Sequence, residues 1–185
     1  RTPQQADDYF ESYKSAIEDG GKINTARNLS NGVSIKISAL HPRYEMRKIN
    51  QIESELLPKL KELVNYAQSK DVEITIDAEE QDRLSLSLHI IEKLAYEKNI
   101  RDWQGYGIAL QAYGKRSFDV IHWLNGILDK RDGMHLRLVK GAYWDYEIKH
   151  AQVSGYEGYP VFSKKSLTDI SYLALSLIHI SEPTR

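Results

Sequence analysis

Four polar side chains recur at one phase of four short β-rich runs: Lys36 in VSIKISA, Asp77 in VEITIDA, Gln111 in GIALQAY and Arg137 in HLRLVKG. A cation, a carboxylate, an amide and a guanidinium converging on one surface suit a polar, electron-accepting cofactor or a carbonyl substrate. Each residue also has a plainer reading. Lys36 could lay its stem along a sheet edge and keep its ammonium in water. Asp77, just ahead of Ala78-Glu79-Glu80, could cap a helix. Gln111 could hydrogen-bond a backbone, and Arg137 could pair with Glu73 or Asp77. Their recurrence at one phase favours a shared site over separate accidents. The competing chemistry is a Schiff-base aldolase or decarboxylase with Lys36 as nucleophile and Asp77 tuning it, since a desolvated strand lysine is the usual device.

Other constellations are weaker. Tyr143 and Trp144 directly follow the fourth run; such aromatics are often core filler, but at a functional mouth they can stack on a ring. The six histidines, at positions 41, 89, 122, 135, 150 and 179, form no His-x-x-x-His pair, and Glu147 to His150 is an unrepeated Glu-x-x-His. No metal site is expected, and His89 and His122 are read as helix-flank residues. A Gly-x-Ser-x-Gly elbow, a phosphate loop and a Gly-x-Gly-x-x-Gly are all missing. Glycines around 156–160 suggest an ordered loop.

The elements that must position these residues follow from periodicity. Strands are expected at 33–39, 72–78, 107–113 and 135–141. They alternate with helical patterns at 46–69, where Pro58 is expected to open a second helical segment, at 79–98 and at 116–130; another helix is expected near 5–18. This is the pattern of βα units and a parallel sheet. One face of the strands is apolar: Ile35, Ile37, Val72, Ile74, Ile76, Ile108, Leu110, Leu136 and Leu138. The other carries polar residues in all four strands. A doubly wound sheet buries both faces and reads apolar throughout. A (βα)8 barrel gathers polar residues inside, near the carboxyl ends of its strands. The expected fold class is therefore α/β, a partial (βα)8 TIM-type barrel.

Composition narrows the class further. The 185 residues are 41% hydrophobic, and 25 Lys plus Arg nearly cancel 26 Asp plus Glu. That is enough to bury a core but leaves no basic field for nucleic acid or an anionic membrane. With no cysteine, a disulfide framework and a thiolate metal site are excluded, and a reducing cytoplasm is the expected location. No hydrophobic run approaches the roughly 20 residues that span a bilayer.

The same residues carry a family resemblance. SIKISALHPRYE (34–45), ITIDAEE (74–80), LQAYGKR (110–116), RLVKGAYWDYEIKHAQ (137–152) and GYPVFSKKSLTDISYLA (158–174) resemble, in collinear order, successive motifs of FAD-dependent proline dehydrogenase. HPRY after the lysine strand is similar to the bacterial bifunctional proline-utilisation branch. The resemblance implies a distorted (βα)8 barrel holding FAD and oxidising L-proline to Δ1-pyrroline-5-carboxylate, with electrons passed to a membrane quinone. It implies that Lys36 and Asp77 pair beside the substrate and that Tyr143 packs on the proline ring. Arg137 would sit at the flavin N5 edge and Gln111 would hydrogen-bond the isoalloxazine. Asp77, Ala78, Val139, Gly141, Ala142 and Trp144 would line the flavin. Phe162, Ser163, Lys165 and Thr168 would meet its ribityl, pyrophosphate or adenosine part; Ser163 and Lys165 stand where the family commonly has Thr-Arg-Lys.

The resemblance also implies absences. The family's first strand would lie upstream of Arg1, and its later strands and a substrate-gripping helix with paired arginines would lie downstream of Ala174. Residues 1–174 are thus expected to be an internal part of the barrel, inactive and aggregation-prone alone because half a barrel exposes sheet edges. Residues 175–185, LSLIHISEPTR, are expected to be a translated sequencing adapter. The parent is expected in the cytoplasm, peripheral at the inner membrane face; a fused aldehyde dehydrogenase domain and an oligomer are compatible with the branch.

Overall fold

The computed structural model describes residues 2–27 and 31–181. Four parallel strands, β1 (Gly32–Ile35), β2 (Glu73–Ile76), β3 (Tyr106–Gln111) and β4 (His135–Val139), stand side by side in sequence order. The helices are α1 (Pro3–Arg27), α2 (Ile49–Ser69), α3 (Leu84–Ala95), α4 (Ser117–Leu128), α5 (Trp144–Val153) and α6 (Lys165–Ser181). Parallel strands need crossovers, and α2, α3 and α4 supply them. The apolar strand face is buried as its alternation predicts: Ile35, Ile74, Ile76 and Ile108 share one core with Ile52, Leu56, Leu60 and Leu63 of α2 and Ile90 and Leu94 of α3.

The sheet is curled. Arg137 Nη1 on β4 donates to Ser34 Oγ on β1 at 2.7 Å, although these strands are opposite edges of the sheet. Three strand spacings of about 4.8 Å would hold them roughly 14 Å apart in a flat sheet, beyond the reach of one arginine and one serine. Twist and curl bring the edges together on the polar face, which is therefore the concave one.

Several boundaries differ from expectation. Pro58 opens no second segment: it lies inside one continuous α2. Burial of Ile52, Leu56, Leu60, Leu63, Val64 and Ala67 along its whole length outweighs one lost hydrogen bond. The first helix runs on through Gly20 and Gly21 to Arg27, and Gly21 lets it lie against Lys70, whose carbonyl oxygen is 3.1 Å from where a Cβ would stand. β1 ends at Ile35 and the chain tightens into a 3-10 turn at Ile37–Ala39, so Lys36 stands just past the strand. α6 crosses position 174 unbroken, and Leu175 is buried against Leu110 and Val120; residues 182–185 of the expected foreign tail lie outside the described residues.

Candidate functional site at the carboxyl end of the sheet

The four phased residues lie where parallel strands end. Lys36 and Asp77 directly follow β1 and β2, Gln111 closes β3, and Arg137 projects from the middle of β4. The Arg137 guanidinium holds Ser34 and is ion-paired to Asp77. The expected Lys36–Asp77 pair does not form. Lys36 sits beyond the end of β1 with its ammonium 5.4 Å from the centre of the Tyr143 ring, which leaves Asp77 to Arg137. Hydrogen bonding to the Tyr143 hydroxyl raises the Lys36 pKa above its ordinary value, against the opposite pull of burial. Asp77 caps no helix, because the next helical turn opens after Glu80 and has no side-chain cap.

Gln111 is buried and joins two loops: its Nε2 donates to Glu79 O at 2.9 Å, and its Oε1 accepts from Ala142 N at 3.0 Å. Its plainer reading, a side chain bound to backbone, is therefore realised, with one amide hydrogen left over. Ala78, together with Asp77 and Gln111, lines a small interior cavity of about 30 Å³. Val139 pairs in register with Gln111, and its carbonyl accepts from Ala112 N at 2.8 Å.

Beside this cluster opens a cleft of about 430 Å³ lined by Tyr113, Lys140, Gly141, Trp144, Ser163, Lys165 and Thr168. The segment before α6 forms one wall. It is pinned by Phe162 N donating to Tyr113 O at 2.8 Å, Lys115 N donating to Pro160 O at 3.0 Å, and Trp144 Nε1 donating to Phe162 O at 2.9 Å. The ordered loop expected near 156–160 is thus tied to the β3–α4 connection. Gly141 adopts φ +139°, and a Cβ there would come within 2.5 Å of the Tyr113 ring. Only glycine suits such a backbone. The Tyr113 hydroxyl is buried without a hydrogen-bond partner among the described residues.

Tyr113, Glu79 and Glu147 were missed from sequence. Tyr113 lies two residues beyond Gln111 at the same strand phase, so extending the alternation would have found it. Glu79 likewise lies two residues beyond Asp77; it leaves the strand, buries its carboxylate, accepts from Ser38 N at 2.9 Å and Arg83 Nη1 at 2.9 Å, and binds the Ser38 hydroxyl. It clamps the turn that follows Lys36. Among the described residues no cluster of three or more potential metal ligands occurs.

The sequence signature of the family described as Proline dehydrogenase matches residues 1–185. The chain belongs to the proline dehydrogenase family. It is 47% identical over 176 residues to the "Bifunctional protein PutA" of Escherichia coli K12 and equally to that of Klebsiella aerogenes, covering 94% of this chain and 13% of each relative. A crystal structure of a Bradyrhizobium japonicum proline utilization A variant superposes with a TM-score of 0.94 at 43% identity, over 100% of this chain and 19% of that one. One from Bdellovibrio bacteriovorus gives 0.89 at 25% identity, over 97% and 20%. The chain therefore spans a small part of the length of the proline dehydrogenase relatives it matches. The four-stranded parallel α/β fold is theirs as well.

Proposed function

We propose that this chain forms part of a (βα)8 barrel that binds FAD and oxidises L-proline to Δ1-pyrroline-5-carboxylate, the electrons passing on to a membrane quinone. The observation that carries the reading is the concave polar face at the carboxyl ends of the strands, bordered by the Gly141–Tyr113 cleft. The cleft suits a flat group with polar edges. Gly141 keeps its backbone bare, Trp144 offers an aromatic face, and Ser163, Lys165 and Thr168 offer donors. FAD, when bound, supplies the acceptor for the hydride that leaves the proline ring carbon as the ring nitrogen loses its proton and the C=N bond forms.

The chain's own residues bind and orient. Lys36, kept protonated by Tyr143, offers a fixed positive charge to the substrate carboxylate, and the Tyr143 ring covers the apolar methylenes. Arg137, oriented by Asp77 and Ser34, places a cation where negative charge grows during transfer. Gln111 aligns the Ala142 backbone beside the flavin with its remaining amide hydrogen available. Val139, Ala142 and Phe162 complete the lining, and Asp77 and Ala78 approach from the β2 side.

A Schiff-base role for Lys36 requires a lysine whose pKa is driven down; here it is driven up. The Bdellovibrio relative is described as inactivated by N-propargylglycine, an amino-acid reagent of the kind this site would admit. Its E. coli relative is called bifunctional, in keeping with a second catalytic domain in a longer parent. No helix among the described residues is long and apolar enough to cross a membrane, and a peripheral location is proposed for the parent. Residues 175–185 are proposed to be foreign sequence, tested by resequencing the source DNA across codons 174 and 175.

The decisive experiment is to purify the complete parent and titrate it with L-proline. A yellow protein with stoichiometric FAD that bleaches on addition of proline supports the reading. A colourless protein, or one in which borohydride traps a carbonyl ligand on Lys36, overturns it. The 185 residues alone are expected to bind no FAD and turn over no proline.

A further inference from the structure

The loop after β2 and the loop after β4 carry different halves of the proposed site: Asp77 and Ala78 on one, Tyr143 and Trp144 on the other. Two buried side chains join these loops. Gln111 is one. The other is Glu147, which the proposed chemistry does not use.

Glu147 lies one turn into α5 and is 2% exposed. Its Oε1 accepts the backbone N–H of Gln81 at 2.7 Å, while its own N–H donates to Tyr143 O at 2.9 Å. Gln81 opens the 3-10 turn Gln81–Arg83, and the preceding residue, Glu80, gives that turn no side-chain cap. The Gln81 N–H is therefore one of the donors that a helical turn leaves unpaired at its start. A carboxylate from a different element satisfies it. Burial first of all raises the Glu147 pKa, the Gln81 N–H opposes that shift, and the charges of Asp82 and Glu80 add to it. A buried acid bonded to the backbone of another element ties the two loops together.

We propose that Glu147 is a positioning residue: it locks the first turn of α5, and with it Tyr143 and Trp144, to the loop bearing Asp77. The substrate-facing and flavin-facing groups then keep one relative placement. The roles of Tyr143 and Trp144 here rest on the function proposed above.

Three substitutions in the complete parent enzyme separate this join from general stability. Glu147→Ala removes the acceptor and Glu147→Gln keeps an acceptor oxygen. Gln81→Pro removes the donor while suiting both the first helical position and the extended Glu80 at φ −60°, ψ 149°. Glu147→Ala and Gln81→Pro are each expected to lower kcat by roughly tenfold to a hundredfold, the scale of a small misplacement of reacting groups. Glu147→Gln should retain most of the rate. The double variant Glu147→Ala/Gln81→Pro should be no worse than the worse single one, because both break the same bond. Amide hydrogen exchange at Gln81 should accelerate in Glu147→Ala with flavin content unchanged. The proposal falls if Gln81 exchange accelerates while kcat is unchanged, if Glu147→Gln is as damaging as Glu147→Ala, or if the double variant is additive. Should Glu147→Ala not fold, Glu147→Gln against Gln81→Pro gives the same decision. If the unsubstituted parent oxidises no proline, the functional reading falls by itself, and Gln81 exchange still reads the join.

Discussion

The two ends of this parallel sheet are built to different rules. At the amino end Arg131 and His135 are spent on structure. Arg131, 5% exposed, donates to the carbonyls of Trp103 at 2.6 Å and Gly133 at 2.8 Å and lies over the Tyr106 ring, so one cation closes the loops that enter β3 and β4. His135 bonds Thr75 Oγ1 at 2.8 Å and packs flat against Gly107, where a Cβ would stand 2.1 Å from its ring. At the carboxyl end Glu79 and Glu147 are buried, but Lys36, Asp77 and Arg137 are more exposed. Lys36 faces a ring, Arg137 and Asp77 hold each other at the surface, and a cleft stands open. Polar groups bonded within the fold make the amino end a floor, while charges left near solvent beside a cleft keep the carboxyl end open.

That contrast can be broken from either end. The largest effect is expected at the mouth: Arg137→Met should cost the complete enzyme roughly a hundredfold to a thousandfold in kcat while leaving its melting temperature nearly unchanged, because the pair is exposed. Steady-state kinetics beside a thermal melt reads both. At the floor, Arg131→Met should do the reverse, removing about 2–4 kcal/mol of stability by leaving the carbonyls it bridges without their donor, with KM for proline preserved in the surviving folded enzyme. Gly141→Ala should lower flavin occupancy by about tenfold, as a Cβ drives into Tyr113 from a backbone that disfavours it; visible absorbance per protein measures it.

The smallest effect is a pH dependence of the floor. Burial lowers the His135 pKa below its ordinary 6.5. The unfolded chain therefore takes up a proton first as pH falls below that value, and stability declines until the folded histidine also protonates. The slope should not exceed about 1.4 kcal/mol per pH unit. Melting temperatures between pH 7 and pH 5 should show the decline, and His135→Gln should flatten it. A parent whose melting temperature holds level over that range would place His135 outside the buried floor.

The polar phase was legible because strand geometry fixes it: side chains two apart share a face, so Lys36, Asp77, Gln111 and Arg137 had to emerge on one side once the strands paired in parallel. Helix ends were less legible. Pro58 and the Gly20-Gly21 pair are local breakers overruled by distant contacts, which a periodic reading cannot weigh. Partner choice was least legible. Whether Asp77 takes Lys36 or Arg137 depends on where β1 stops and how tightly the sheet curls, and Glu147 reaches Gln81 across 66 residues of chain.

The amino-acid order by itself determined that this is an alternating α/β chain with one apolar and one polar strand face, since both properties are periodic along the backbone. Only the tertiary structure decided which charges meet and which buried acid ties the two loops of the candidate site together. Those are distances between residues far apart in sequence, and the curl of the sheet sets them.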